Sequence, residues 1–303
     1  MTNFLINKFL KNKKYSNSKY RKRAGILSGI IGIICNLIMF VGKMFVGIIS
    51  SSIAVSADAF NNLADVGSSI VTIVGFKIAS SPANPKHPFG FGRVEYISGL
   101  IISVAIIITG LEFAKSSIDK IFNPEKLNFD FVSIIILILS LILKLWLGIF
   151  NTKLGEIMDS SALKATALDS ISDMISTGAI LLSMLVTYFT HINVDGYAGI
   201  LVACIVIYTG LKVIRESINP LLGQVPDLEL VQEINNIVLS DGNILKISEL
   251  FVHDYGPEKI VISLRVDMPK LLDIVKQHEI IDTLEKNLKN KFDCQAIIHV
   301  DPI

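Results

Sequence analysis

Apolar residues run in six long blocks through the first two thirds of the chain, at about 24–49, 53–78, 94–120, 131–152, 162–189 and 195–217. Each block is long enough to cross a bilayer as a helix, which takes about 20 mostly apolar residues. Only "ISSSI" separates the first two blocks and only "THINVD" the last two, so both pairs are expected to be antiparallel neighbours. The first block is too long for a signal-peptide core and no small-residue cleavage site follows it, so it reads as a retained span.

From about Gln224 the pattern changes. "PDLELVQEINNIVLSDGN" has helical periodicity between a Pro226-Asp227 start and an Asp241-Gly242 stop. "KISELFVHDY" and "KIVISLRVDM" alternate as strands around a Gly256-Pro257 turn. "LLDIVKQHEIIDTLEKNLKNKF" is a second amphipathic helix and "CQAIIHVDP" a last strand. The predicted fold class is therefore a membrane all-α bundle of six transmembrane helices plus a cytoplasmic α+β domain. Its αββαβ order, ferredoxin-like or metallochaperone-like, puts both helices on one face of a small sheet. The predicted division is a basic arm at 1–23, a transport domain at 24–220 and a C-terminal domain at 224–303. About 80 residues make only a marginal core, so pairing with a second copy is expected to support it.

Composition agrees with this division. The 303 residues are 51% apolar and 18% charged, with a mean hydropathy of +0.58. The net charge of +1 hides an asymmetry: the first 23 residues hold eight Lys or Arg and no acid, and the tail from Gln224 holds eight basic against fourteen acidic residues. The arm reads as a topology signal that keeps the N-terminus in the cytoplasm, and an even number of spans returns the tail there. Lys77, Lys86, Arg93, Lys153, Lys164, Lys212 and Arg215 then fall inside. Lys120 and Lys126 fall outside, balanced by Asp119, Glu125 and Asp130. Nucleic acid is not an expected partner, because no soluble domain follows the arm to present it. Cys35, Cys204 and Cys294 form no CxxC pair, which excludes a thiolate cluster and fits a reduced compartment.

The chemistry lies in two polar interruptions. Asn61 and Asp65 are four apart in the second block, and Asp169 and Asp173 are four apart in the fifth, so each pair shares a helix face. An ionisable group at membrane depth costs at least about 2.5–3.5 kcal/mol on insertion scales, which argues for a function. If the two helices pack, four side chains converge in a manner suited to a divalent cation. The alternative is polar packing, which accounts for Asn62, Ser68 and Ser69. It accounts poorly for three carboxylates, although Lys43 and Lys144 in other spans could pair with them.

These pairs, with "HPFGFGRVE" (His87 to Glu95), "HDYGP" (His253 to Pro257) and "IIHVDP" (Ile297 to Pro302), resemble the cation diffusion facilitator family of metal/proton antiporters over roughly residues 24 to 303. The resemblance implies a transport site at Asn61, Asp65, Asp169 and Asp173. Zinc-transporting relatives usually carry His at the first position of a pair; here all four ligands offer oxygen. That donor set suits Mn²⁺ and is similar to the family's manganese branch, with Zn²⁺ or Fe²⁺ as the alternative cargo. A second family site, between spans two and three, matches Asn84, His87 and Phe91, where Phe cannot ligate; His87 is then expected to help structure the Pro-Phe-Gly turn. A tail cluster bridging two protomers matches His253, His278, His299 and Asp301, but Arg265 stands at a strand position that holds His in relatives. A partial site at His278, His299 and Asp301 is the remaining reading there. Asp58, on a face similar to that of Asn61, either serves the release or proton route or caps its span.

The resemblance implies a transporter rather than an enzyme, with no permanently bound cofactor. Its implied partners are a second copy of the chain, the bilayer and protons as counter-substrate, and its setting a plasma (inner) membrane. The rivals are an intramembrane aspartyl hydrolase, against which the spacing argues, and a metal sensor that transports nothing.

Overall fold

The computed structural model of the chain describes residues 18–49, 53–122, 131–190, 195–257 and 259–303. Most of the basic arm, the centres of the "ISSSI" and "THINVD" connections, and Lys126 lie outside the described residues. The chain divides into two compact units, Met1–Ser80 with Val94–Ile218 and Ser81–Arg93 with Asn219–Ile303.

The first unit is built from α1 (Ser18–Ile49), α2 (Ile53–Ala79), α3 (Val94–Phe122), α4 (Phe131–Met158), α5 (Ser161–Thr190) and α6 (Asp195–Leu222). They coincide with the six apolar blocks. α1 starts earlier and α4 and α6 end later than the blocks do, because a helix's hydrogen-bond ladder continues beyond the apolar stretch that hydrocarbon requires. Among the described residues, five helices are long and apolar enough to cross a membrane. The helix outside that set is α5, long enough at 30 residues but diluted by Lys164, Asp169, Asp173 and several hydroxyls. Large apolar side chains face outward on all six helices, as lipid contact demands, with Leu201 at 65% and Ile38 at 61% exposure.

Small residues let the helices approach. Gly25, Gly29 and Gly32 line the α1 face that meets α2, where a Cβ at Gly25 would overlap Phe76 and one at Gly29 would lie 2.8 Å from the Ser69 carbonyl oxygen. This is the small-residue packing of membrane helices. Buried hydroxyls add specific ties: Ser28 donates to Asn151 Oδ1 at 2.7 Å between α1 and α4, and Thr72 and Thr166 meet at 3.0 Å between α2 and α5. Such bonds contribute about 0.6–2 kcal/mol each. Near one end of the bundle, buried Arg21 of α1 donates to Glu95 Oε1 of α3 at 2.8 Å and to the carbonyl of Met158, the last residue of α4. Arg21 belongs to the basic run of the sequence, yet it turns inward as a tie between three helices.

The second unit contains α7 (Leu228–Val238), β1 (Lys246–Asp254), β2 (Ile260–Met268), α8 (Ile274–Phe292) and β3 (Gln295–Pro302). The sheet order is β1-β2-β3, with β1 antiparallel and β3 parallel to β2. Ile262, Leu264, Val266 and Met268 alternate onto one face, where they form a core with Ile234 and Val238 of α7 and Ile280, Ile281, Leu284 and Leu288 of α8. Both helices cover that single face, as the alternation predicts. Asp273 caps α8 by accepting from the Val275 and Lys276 amides. The segment at 81–93 joins this unit through the β1–β2 turn. Phe89 stacks on Tyr255 at 4.0 Å, and the backbone of Gly92 passes so close to Gly256 that a Cβ at residue 256 would overlap it. Gly256 also has φ +115°, a conformation open to glycine.

Candidate metal site

The polar faces of α2 and α5 meet at one cavity of about 230 Å³. Asn61 and Asp65 line it from α2, Asp169 and Asp173 from α5, so the structure brings all four residues named from the sequence to one place. The helix period explains this: each pair is one turn apart, and the Thr72–Thr166 contact fixes α2 against α5 near the pairs.

The carboxylates do not face one another alone. Lys144, from the middle of α4, donates from Nζ to Asp65 Oδ2 at 2.6 Å and to Asp173 Oδ2 at 2.5 Å. Its side chain is only 5% exposed, so the ammonium exchanges its water for these two charged acceptors. Among the described residues, no three His, Cys, Asp or Glu side chains are gathered closely enough to hold a metal ion. The polar pairing weighed from the sequence is therefore present at Asp65 and Asp173, through Lys144. Asp169 lines the same cavity.

Asn62 and Ser69 are both buried; the Ser69 hydroxyl donates to the Asp65 carbonyl and packs beside Gly32. Ser69 is thus a packing residue, whereas Asn62 also lines the cavity. The side chain of Asp58 lies outside the described residues. Three contributors on α3 escaped the sequence reading. Glu112 lines the cavity from α3, flanked by Thr109 and Ser116. Their spacing of three and four residues in "TGLEFAKSS" is the signal that could have found them.

The loop positions do different work. Asn84 Oδ1 accepts from the Lys86 and His87 amides at 3.0 and 2.8 Å, and the His87 carbonyl accepts from the Gly90 amide at 3.0 Å, closing the Pro-Phe-Gly turn. The His87 ring tilts against Phe91 with centroids 4.5 Å apart. In the tail, Glu249, Arg265 and His299 are cross-strand neighbours. Arg265 lies 3.6 Å from Glu249 and 3.5 Å from Asp301, and His299 lies 3.5 Å from Asp301. His253 is exposed between Phe251 and Tyr255. His278 is exposed on α8, which covers the sheet face opposite the Arg265–His299 row. Within one chain the sheet thus separates His278 from His299 and Asp301, because strand side chains alternate between faces.

A family model of the cation efflux transmembrane domain matches residues 29–222, and one of the cation efflux protein cytoplasmic domain matches residues 226–303. The chain belongs to the cation diffusion facilitator family. As a member it is a multi-pass membrane transporter that exports divalent metal cations, and it is not an enzyme. Membership removes the hydrolase reading. Among curated family relatives, an uncharacterised transporter of Methanocaldococcus jannaschii is 27% identical, over 90% of this chain and 96% of its own length. The manganese efflux system protein MneP of Bacillus subtilis is 25% identical, over 90% and 94%. The cation-efflux pump FieF of Escherichia fergusonii is 27% identical, over 86% and 87%.

Proposed function

We propose that the protein exports Mn²⁺ in exchange for protons through Asn61, Asp65, Asp169 and Asp173. The observation that carries this reading is their placement on one cavity between α2 and α5. The donors are three carboxylates and one amide, all oxygen, which favours a hard cation over those that prefer imidazole or thiolate. Similarity to a manganese efflux protein along nine tenths of the chain points the same way. Protons compete with the metal for the same carboxylate oxygens, so the side that receives metal is the side that supplies protons. The tail from 224 to 303 pairs two copies of the chain, and the protein sits in a plasma membrane with both termini cytoplasmic.

Competitive transport of Mn²⁺, Zn²⁺, Fe²⁺ and Co²⁺ into vesicles holding the purified protein, repeated with Asn61→His, tests the ligand assignment. Wild type is expected to prefer Mn²⁺, and the imidazole to move preference toward Zn²⁺ by about tenfold or more. Unchanged selectivity in Asn61→His would sink the oxygen-donor argument. Transport that stays flat between about pH 6 and pH 8 on the receiving side would sink proton exchange.

A further inference from the structure

Lys144 comes from α4, a helix that supplies none of the four residues assigned to the cargo. Its single ammonium joins Asp65 of α2 to Asp173 of α5 through one oxygen of each. A first-row divalent cation bound to those two oxygens would lie about 2.0–2.2 Å from each, and hence within about 5 Å of the present Nζ position. Like charges at that separation in a partly enclosed cavity repel. The oxygens that hold the lysine are oxygens that the cargo must take.

We propose, resting on the four-residue reading above, that Lys144 is a tethered cation that competes with the transported ion for Asp65 and Asp173. It holds the two carboxylates between transport events, sets the concentration at which cargo loads, and hastens release by reclaiming the oxygens. The charge balance suits a divalent cargo. With all groups ionised, Asp65, Asp169, Asp173 and Lys144 leave a formal charge of minus two, which one divalent cation neutralises and one monovalent cation does not. Lys43 and Glu112 line the same cavity with opposite signs and leave that balance unchanged. The flexible lysine stem gives the ammonium somewhere to go, since Ser172, Ser176 and Thr177 also line the cavity.

The test uses full-length protein in detergent, with Mn²⁺ as the probe and unbound Mn²⁺ read by electron paramagnetic resonance. K144M is expected to bind Mn²⁺ at least about tenfold tighter than wild type. In vesicles it should lower KM and the maximal rate together, because release loses its competitor. K144R keeps the charge and is expected to stay within about threefold of wild-type affinity. Equal or weaker binding by K144M overturns the proposal and leaves Lys144 as a structural tie.

Should K144M not reach the membrane, wild-type protein supplies a second reading. Mn²⁺ is expected to raise the rate at which an amine-reactive ester modifies Lys144, followed by peptide mass spectrometry; protection or no change overturns the proposal. The underlying site assignment fails separately, if D65N and D173N each bind Mn²⁺ as tightly as wild type.

Discussion

Arg93 donates twice to the backbone carbonyl of Asp254, from Nε at 2.9 Å and from Nη2 at 2.6 Å, and its guanidinium lies 4.7 Å from the centroid of the Tyr255 ring. Gly92 and Arg93 thus meet the "HDYGP" motif, far away in sequence, in one structure. Hydrogen bonds to a charged donor contribute about 1.5–3 kcal/mol. Arg93→Ala is accordingly expected to speed amide exchange in residues 81–93 and at the β1–β2 turn by about ten- to a hundredfold. Hydrogen–deuterium exchange on the full chain reads this directly, and unchanged protection would show that the Phe89–Tyr255 stack suffices.

Asp173 supplies an oxygen to the cavity and a partner to Lys144. Asp173→Ala is expected to abolish Mn²⁺ transport in vesicles while leaving the yield of membrane-inserted protein at or above wild type. A buried carboxylate opposes insertion, so its removal does not impede it. Retained transport would remove Asp173 from the site.

Gly29 and Gly42 both lie on α1, but among the described residues only the first meets a neighbour. A side chain at Gly29 runs into Ile73 and the Ser69 carbonyl, whereas among the described residues nothing lies within 4 Å of a Cβ at Gly42. Gly29→Leu is expected to destabilise the bundle by about 1–3 kcal/mol through overpacking. Gly42→Ala is expected to be neutral or to stabilise the helix by up to about 1 kcal/mol. Thermal unfolding of both variants in the same detergent compares them.

Arg265 sits between Glu249 and Asp301 and beside His299 on the paired strand. Replacing its fixed charge by a ligand turns a cation-repelling row into a cation-binding one. R265H is expected to bind Zn²⁺ at the tail at least about tenfold tighter than wild type, by titration calorimetry on transport-site-disabled protein. Equal weak binding in both would mean that the row's geometry, and not its charge, excludes metal.

Cys294 is buried at the end of α8 and donates to the Leu288 carbonyl at 3.5 Å. Burial pushes its thiol up from the ordinary value of 9.0, with Asp293 adding to the shift. The folded tail therefore holds the proton that the unfolded chain releases first. Its stabilising contribution is complete below about pH 9 and is lost as pH rises through the folded value. Alkylation of Cys294 in folded protein at neutral pH is expected to be at least about tenfold slower than after denaturation, followed by mass spectrometry.

Much of this was legible from spacing. The six helices follow from apolar length, and α7, α8 and the three strands from periods that local sequence carries by itself. The pairing of Asn61 and Asp65 with Asp169 and Asp173 was readable because both pairs repeat the helical turn. Lys144 could be named as an available partner but not placed, because nothing in α4's own pattern says which neighbour it faces. Glu112 hid in a span that also carries Glu95, Lys115, Asp119 and Lys120, so one more charge toward its end did not stand out. The Arg93–Asp254 contact joins residues 161 positions apart and depends on two glycines whose value lies in the side chains they lack. Arg21 read as part of a basic arm because charge counts are blind to which residue turns inward.

The polarity of α5 has a consequence for biogenesis. A nascent helix with two aspartates in its first half is a poor candidate for partitioning alone from the insertion machinery into lipid. Its predecessor α4 is strongly apolar, is joined to it through only Asp159 and Ser160, and carries the ammonium that meets Asp173. The two helices are thus equipped to enter the bilayer as a hairpin, with α4 as the chaperoning arm. The order in which the ribosome makes them then matters: the counter-charge is synthesised before the charge it must escort.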